Sequence, residues 1–114
     1  MSESNKLHIL WTTGEIYTAI NMVMLYSTNS MLRGWWDEVT VIIWGESAQL
    51  AAHNEAVQKE MEIAKKAGVK FEACMTCAVR LGVVEKLESM GVKVISWGPP
   101  LTELLLGSEK LITI

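Results

Sequence analysis

Two cysteines three positions apart, Cys74 and Cys77, form the strongest chemical pattern in this sequence. A Cys-x-x-Cys pair is typical of redox, sulfur-handling or metal-binding chemistry, because a thiolate is both a nucleophile and a metal ligand. Secreted domains of this length that are held together by disulfides usually carry more cysteines, so we expect a reducing compartment. The alternative interpretation is that both are inert core residues, since free cysteine is often buried.

The residues after Cys74 predict a helix that begins one to three positions later. Thr76 suits the N-cap position, which would leave Cys77 in the first helical turn. The free N–H groups and the dipole at a helix start favour a nearby anion, and therefore the thiolate form of Cys74. Arg80, one turn further on, would add positive charge. We therefore predict Cys74 as the reactive thiol, with Thr76 and Arg80 as accessory residues.

The histidines give weaker signals. His53 borders the apolar stripe of a predicted helix and is a candidate proton carrier or orienting group for the thiol. The alternative for His53 is a boundary residue that makes one hydrogen bond. Structural zinc takes four ligands, and the cysteine pair supplies two, with neither His8 nor His53 at a recognised spacing. We expect no cofactor and no metal, with a metal site shared between subunits as the open alternative.

Three tryptophans, Trp11, Trp44 and Trp97, lie at or next to the ends of predicted strands. They could wall a dry pocket around a sulfur group, or they could fill the core or a subunit interface, where tryptophan is common. We favour the core or interface interpretation.

Short β-like runs alternate with helical patterns along the chain. The runs cover 6–12, 38–44, 69–73, 92–97 and 110–114, and their lack of polar alternation indicates strands covered on both faces. The helical patterns cover 16–31, 50–64, 76–90 and 100–106. This alternation predicts a flavodoxin-like three-layer α/β/α sandwich with a five-stranded parallel sheet, strand order 2-1-3-4-5. Ligands of such sheets bind beyond the carboxyl ends of the strands, where the third loop carries the cysteines.

Composition and charge limit the functional classes. The 114 residues fit a single domain over 1–114, with a disordered tail over 1–5. The net charge of −3 and pI of about 5.4 give no electrostatic reason to bind nucleic acid or an anionic membrane. No signal-like start and no apolar run of about 20 residues is visible, so we expect a cytoplasmic protein without a membrane span.

Several segments resemble the DsrE/DsrF-like sulfur-relay family. They are 41–45, 73–78, 81–83, 91–92 and 97–105, and the resemblance extends over about 6–114. The most specific part is Cys74 with Gly82 eight residues later, followed by the Gly-Pro-Pro-Leu-Thr segment that begins at Gly98.

The resemblance implies a flavodoxin-like fold, a homo-oligomer (a trimer or hexamer), and sulfur donor and acceptor proteins as partners. It also implies that Cys74 carries sulfur as a persulfide. Cys77 has no counterpart in the tRNA-thiolation member of the family, so a resolving role for this second thiol is open. Three hypotheses follow: a persulfide carrier, a thiol–disulfide redox protein or polysulfide reductase using Cys74 and Cys77, and a non-catalytic oligomeric module that binds partners.

Overall fold

A parallel β-sheet lies at the centre of the molecule. The computed structural model describes residues 5–114. In this range the sheet has five strands, and every neighbouring pair is parallel. The strands are β1 (Lys6–Trp11), β2 (Glu38–Ile43), β3 (Lys70–Cys74), β4 (Lys93–Ile95) and β5 (Lys110–Thr113). The predicted fold class, a three-layer α/β/α sandwich with a five-stranded parallel sheet, is confirmed.

The strands follow the order β4-β3-β2-β1-β5 across the sheet. The pairs β1–β2 and β3–β4 are those of the expected order 2-1-3-4-5. In the structure, however, β3 lies beside β2 and β5 lies beside β1. From β1 to β4 each connection moves to the next strand in one direction, so right-handed crossovers place the intervening helices on one face. The chain then returns across the sheet to β5, which places the last helix on the other face.

The helices fill the four connections between strands. The segment between β1 and β2 is helical from Ile16 to Leu32, with a π-helical stretch inside it. The bounds are α1 (Ile16–Thr18), the π-helical segment (Ala19–Met24), α2 (Leu25–Leu32), α3 (Glu46–His53), α4 (Glu55–Ala67), α5 (Met75–Leu81), α6 (Val84–Ser89) and α7 (Gly98–Leu106).

Two of the predicted helices are each divided into two. The pattern over 50–64 belongs to α3 and α4, which meet at Asn54, where the backbone is extended and the side chain accepts a hydrogen bond from the Val57 N–H at 3.0 Å. The pattern over 76–90 belongs to α5 and α6, because Gly82 ends α5 in the left-handed conformation with a φ of 69°. The apolar spacing continues through both breaks, so periodicity alone predicted continuous helices.

Alternate strand residues divide between the two faces of the sheet. The main core lies under α1 to α6, and its fully buried members include Ile9, Trp11, Met24, Val41, Ile43, Val57, Met61 and Leu87. Burial of each such aliphatic side chain stabilises the fold by about 1.5–3 kcal/mol. The opposite face carries a smaller cluster of Ile42, Cys74 and Trp97, against which Leu101 and Leu104 of α7 pack.

The start of the described chain is tied to the segment before β2. The Asn5 N–H donates to Oδ2 of Asp37 at 2.8 Å, and the Asp37 N–H donates to the Asn5 carbonyl at 2.8 Å. The other residues of the predicted tail, 1–4, lie outside the described residues. Over the range 5–114, none of the helices combines the length and apolar character needed to cross a membrane.

Candidate functional site

Cys74 is both the last residue of β3 and the N-cap of α5. Its backbone is extended, with φ of −68° and ψ of 119°, and the helix begins at the very next residue, Met75. Thr76 therefore lies inside the first turn of α5, and its prediction as the N-cap is wrong, because the strand passes into the helix without a loop. Cys77 lies in the first turn, as predicted.

The side chain of Cys74 points to the face of the sheet that α7 covers. Phe71 and Ala73 join the main core, so Glu72 and Cys74 alternate to the other face. Only 6% of Cys74 is exposed, and it packs against Ile42 and Trp97. Within the described part of the chain, its side chain makes no capping hydrogen bond to the start of α5. The expected contact between the Cys74 sulfur and these amides is therefore not observed.

Cys77, rather than Cys74, has a sulfur atom that contacts a backbone N–H group. Its Sγ atom accepts a hydrogen bond from the backbone N–H of Gly45, at 3.4 Å. Gly45 joins the end of β2 to α3 and has a φ of 74°, a conformation that suits glycine because it lacks a Cβ atom. Sequence reasoning missed the role of Gly45, although this glycine ends the first segment that resembles the family.

The two thiols interact, and Cys77 packs at the edge of the cluster that contains Cys74. Burial has the largest effect and raises the pKa of the Cys77 thiol. The hydrogen bond from Gly45 lowers this pKa, the hydrogen bond and charge of Cys74 raise it, and the charge of Arg80 lowers it. The net result is a pKa for Cys77 above its ordinary value.

A cavity of about 320 Å³ opens in front of Cys77. Its exposed wall is almost entirely apolar, and it lies between the start of α3 and the end of α5. The lining residues are Gly45, Glu46, Gln49, Cys77, Arg80 and Leu81. The structure thus places Arg80 and Cys77 around a space that the sequence did not reveal, whereas the sequence analysis expected the charge of Arg80 to act on Cys74.

His53 is the last residue of α3 rather than an early residue of a long helix. Cys77 contacts Gly45, which lies just before the other end of α3 and is about 12 Å from His53 along the helix, at 1.5 Å per residue. His53 is exposed and lines a neighbouring cavity with Gly14 and Asn54. The structure therefore does not bring His53 to the thiols, because His53 lies at one end of α3 and the contact with Cys77 lies at the other.

Trp97 covers Cys74 and is held by a second contact that sequence reasoning missed. Its Nε1–H donates to Oε1 of Glu72 at 3.1 Å. Glu72 lies two residues before Cys74, on the same face of β3. A charged residue within an otherwise buried strand was the sequence signal that could have revealed the contact with Trp97. Trp44 also packs with this cluster, whereas Trp11 is buried in the main core on the other face.

Among the described residues, no three His, Cys, Asp or Glu side chains are grouped so that they could hold a metal ion. The geometry presents a partly buried pair of free thiols with one N–H donor, and the charge of Arg80 acts on Cys77. Such a pair suits the exchange of sulfur–sulfur bonds, since thiolates attack persulfides and disulfides.

Sequence comparison matches residues 6–114 to the model of the DsrE/DsrF-like family. The chain belongs to the DsrE/DsrF-like family. The match includes the segments that resembled this family in the sequence, so that interpretation is confirmed. Among curated proteins, none matches the chain.

Solved structures of other proteins share the DsrE/DsrF-like fold of this chain. A conserved protein of unknown function from Bacteroides thetaiotaomicron, BT1422, is 40% identical, with a TM-score of 0.94 over 96% of this chain and 95% of that chain. MTH1491 from Methanobacterium thermoautotrophicum, also of unknown function, is 12% identical, with a TM-score of 0.77 over 96% and 99% of the two chains. The ychN protein from E. coli is 11% identical, with a TM-score of 0.66 over 98% and 100%. The last two show the fold alone.

Proposed function

We propose that this DsrE/DsrF-like protein takes part in sulfur relay and carries sulfur as a persulfide on Cys74, with Cys77 as the second, resolving or modulatory thiol. Membership of the family suggests sulfur relay at the level of the family. The observation that carries the proposal for this chain is the packing of two free thiols at one cluster, with a backbone N–H on Cys77.

The chemistry is a transfer of one sulfur atom between thiols. A cysteine thiolate of the pair attacks the outer sulfur of a donor persulfide, R–S–SH, and forms a new sulfur–sulfur bond. The bond between the two donor sulfurs breaks, and the donor leaves as a thiolate that takes up a proton. The persulfide then gives its outer sulfur to an acceptor thiol by the same displacement. The burial of Cys74 under Trp97 supports a storage role, because it shields the bound sulfur from solvent thiols.

Intact mass spectrometry tests this proposal. The protein is incubated with inorganic polysulfide, freed of excess reagent and compared with Cys74→Ser, Cys77→Ser and the double variant. We expect the wild type to gain one sulfur atom that mild reductant removes, and the double variant to gain none. If the wild type gains no sulfur under any donor concentration, the relay proposal is rejected.

A thiol–disulfide redox protein or polysulfide reductase is the second candidate. The spacing of Cys74 and Cys77 across a strand end and a first helical turn supports it, because such cysteines can approach the roughly 5.5–6 Å Cα separation of a disulfide. In that case Cys77 attacks the inner sulfur of the Cys74 persulfide, forms the disulfide and releases hydrosulfide. Measurement of released sulfide together with loss of free thiols separates this outcome from simple carriage.

The partners that we propose are further copies of this chain, in a trimer or hexamer, and sulfur donor and acceptor proteins. The exposed leucines of α7, with Leu105 at 64% and Leu106 at 84% exposure, support a subunit contact on this face. A non-catalytic oligomeric module is the remaining alternative, and it predicts that loss of both thiols changes no cellular phenotype. We also propose a cytoplasmic location, which the pair of free thiols supports.

A further inference from the structure

The two thiols differ in how they can be reached. Cys74 lies beneath Trp97 with 6% of its surface exposed, whereas Cys77 is half-buried and forms part of the wall of the 320 Å³ cavity. We propose that Cys77, rather than Cys74, receives sulfur from the donor, and that the cavity takes a low-molecular-weight persulfide or polysulfide anion. This inference rests on the proposed sulfur relay and names its receiving thiol and its donor class.

The cavity has the size of a small-molecule site. Ligand pockets in proteins usually hold about 300–1,000 Å³, so this cavity lies near the lower limit of that range. A chain of a few sulfur atoms, or a small organic persulfide, fits such a space. A polarizable sulfur chain also matches an apolar wall better than it matches a hydrated polar groove.

Charge beside the cavity favours an anion. Arg80 lines the cavity and its positive charge acts on the Cys77 sulfur, to which the Gly45 N–H also points. Glu46 lines the same space, but its carboxylate lies against Gly14 on the other side. The two are so close that a Cβ atom added at Gly14 would be 2.8 Å from Oε2 of Glu46. A persulfide anion near Cys77 therefore meets one nearby cation and one N–H donor rather than a facing carboxylate.

The reaction needs no external oxidant or reductant. The Cys77 thiolate attacks the outer sulfur of the donor R–S–SH, the bond between the donor sulfurs breaks, and R–S⁻ leaves with the electron pair and is protonated by solvent. The Cys74 thiolate then attacks the outer sulfur of Cys77–S–SH, and the bond between that sulfur and Cys77 breaks. Cys77 returns as a thiolate beside the Gly45 N–H, and the sulfur now lies on Cys74 beneath Trp97.

The matched variants Cys74→Ser and Cys77→Ser test the order of the two thiols. Each is mixed with inorganic polysulfide, and the gain of one sulfur is followed in time by intact mass, with the modified residue located by peptide mapping. We expect Cys74→Ser to load on Cys77 at least as fast as the wild type, because the neighbouring thiol that raises the Cys77 pKa is gone. We expect Cys77→Ser to load at least about tenfold more slowly, because its remaining thiol is buried.

The outcomes separate the two proposals. If Cys77→Ser loads as fast as the wild type while Cys74→Ser does not load, the assignment of Cys77 is overturned and the relay survives. If the wild type and both single variants stay unloaded, the relay itself fails. Circular dichroism and thermal unfolding of each variant show that the fold is retained, so a slow rate reports on the thiols.

The cavity is tested by filling it. Leu81→Trp places a large ring in the cavity, and Val79→Trp is the control, since Val79 is 60% exposed on the same helix and does not line the cavity. We expect Leu81→Trp to slow loading from polysulfide by about tenfold and Val79→Trp to leave it unchanged. Equal rates for the two variants would reject the cavity as the donor site.

Arg80→Gln, compared with Lys66→Gln at an exposed position of α4, tests the charge. We expect Arg80→Gln to raise the half-saturating polysulfide concentration by about five- to tenfold, as expected for loss of one charge-assisted contact. A response of Arg80→Gln no larger than that of Lys66→Gln would contradict a role for Arg80 in binding the anion.

Discussion

The backbone nitrogen of Gly45 lies 3.4 Å from Sγ of Cys77 and donates a hydrogen bond to it. The two residues are 32 positions apart in the chain, and they meet because β2 and β3 are neighbouring parallel strands that end at the same edge. Gly45 follows β2, and Cys77 lies in the first turn after β3. The contact gives the pair a defined asymmetry, since one thiol has an N–H donor and the other is covered by Trp97.

The reactivity of Cys77 should depend steeply on pH. Burial raises its pKa, so the thiol is mostly protonated at neutral pH, and the thiolate forms only as pH rises toward that higher pKa. We expect the rate of Cys77 alkylation by iodoacetamide to rise about tenfold per pH unit between pH 7 and about 8.5. Peptide mapping after timed alkylation measures this rate. A rate that is already constant by pH 7 would contradict the raised pKa.

The neighbouring thiol shifts the same profile. Cys74 raises the pKa of Cys77 through a hydrogen bond and through its charge. In Cys74→Ser we therefore expect the alkylation profile of Cys77 to move to lower pH than in the wild type, because the neighbouring thiol that raises the Cys77 pKa is removed. A small free thiol titrated under the same conditions is the control for changes in the reagent. A shift to higher pH would show that Cys74 does not act on Cys77 in this way.

The contact between Glu72 and Trp97 should protect Cys74. Glu72→Leu removes the acceptor of the Trp97 Nε1–H, whereas Glu72→Gln keeps an acceptor oxygen at the same place. Loss of one such hydrogen bond costs about 1 kcal/mol, which corresponds to about fivefold faster exposure of the buried thiol. Alkylation of Cys74 in a Cys77→Ser background measures it. Equal rates for Glu72→Leu and Glu72→Gln would show that the hydrogen bond does not hold Trp97 in place.

Gly82 should be required for its backbone conformation. Gly82 has a φ of 69° and ends α5, and a Cβ atom there meets no other atom within 4 Å, so the cost of Gly82→Ala comes from the left-handed backbone. We expect a loss of about 1–2 kcal/mol in the free energy of unfolding, measured with urea. Gly98→Ala is the control, because Gly98 has no positive φ and equal space around it. Equal stabilities would contradict the conformational explanation.

The class of fold could be predicted from the sequence because strand and helix patterns are local. The apolar runs at 38–44 and 69–73 correspond to β2 and β3, with ends that differ by one residue. The position of Cys74 at a strand end followed from the same runs. Fold class and the approximate location of the thiols therefore needed no tertiary information.

The details of the site could not be predicted in this way, because they depend on which strands become neighbours. The pairing of β2 with β3 brings Gly45 to Cys77, and the expected order 2-1-3-4-5 would have separated those strands. The breaks at Asn54 and Gly82 leave the apolar spacing intact, so the end of α3 and the position of His53 were not visible in the pattern. Successive residues of β3 point to opposite faces of the sheet, so the face on which Cys74 lies depends on the exact register of the strand. An error of one residue in that register reverses the face.

The leucines at the end of α7 should control assembly if the proposed oligomer forms through this face. Leu106 is 84% exposed, and a charge there cannot be buried in a subunit contact without a large desolvation cost. We expect Leu106→Glu to lower the mass measured by light scattering toward the 12.7 kDa of one chain. Ile63→Glu is the control, since Ile63 is 51% exposed on α4, which packs on the other face of the sheet. A wild-type protein that elutes as a monomer, or an assembly that Ile63→Glu breaks and Leu106→Glu does not, would show that α7 is not the subunit contact.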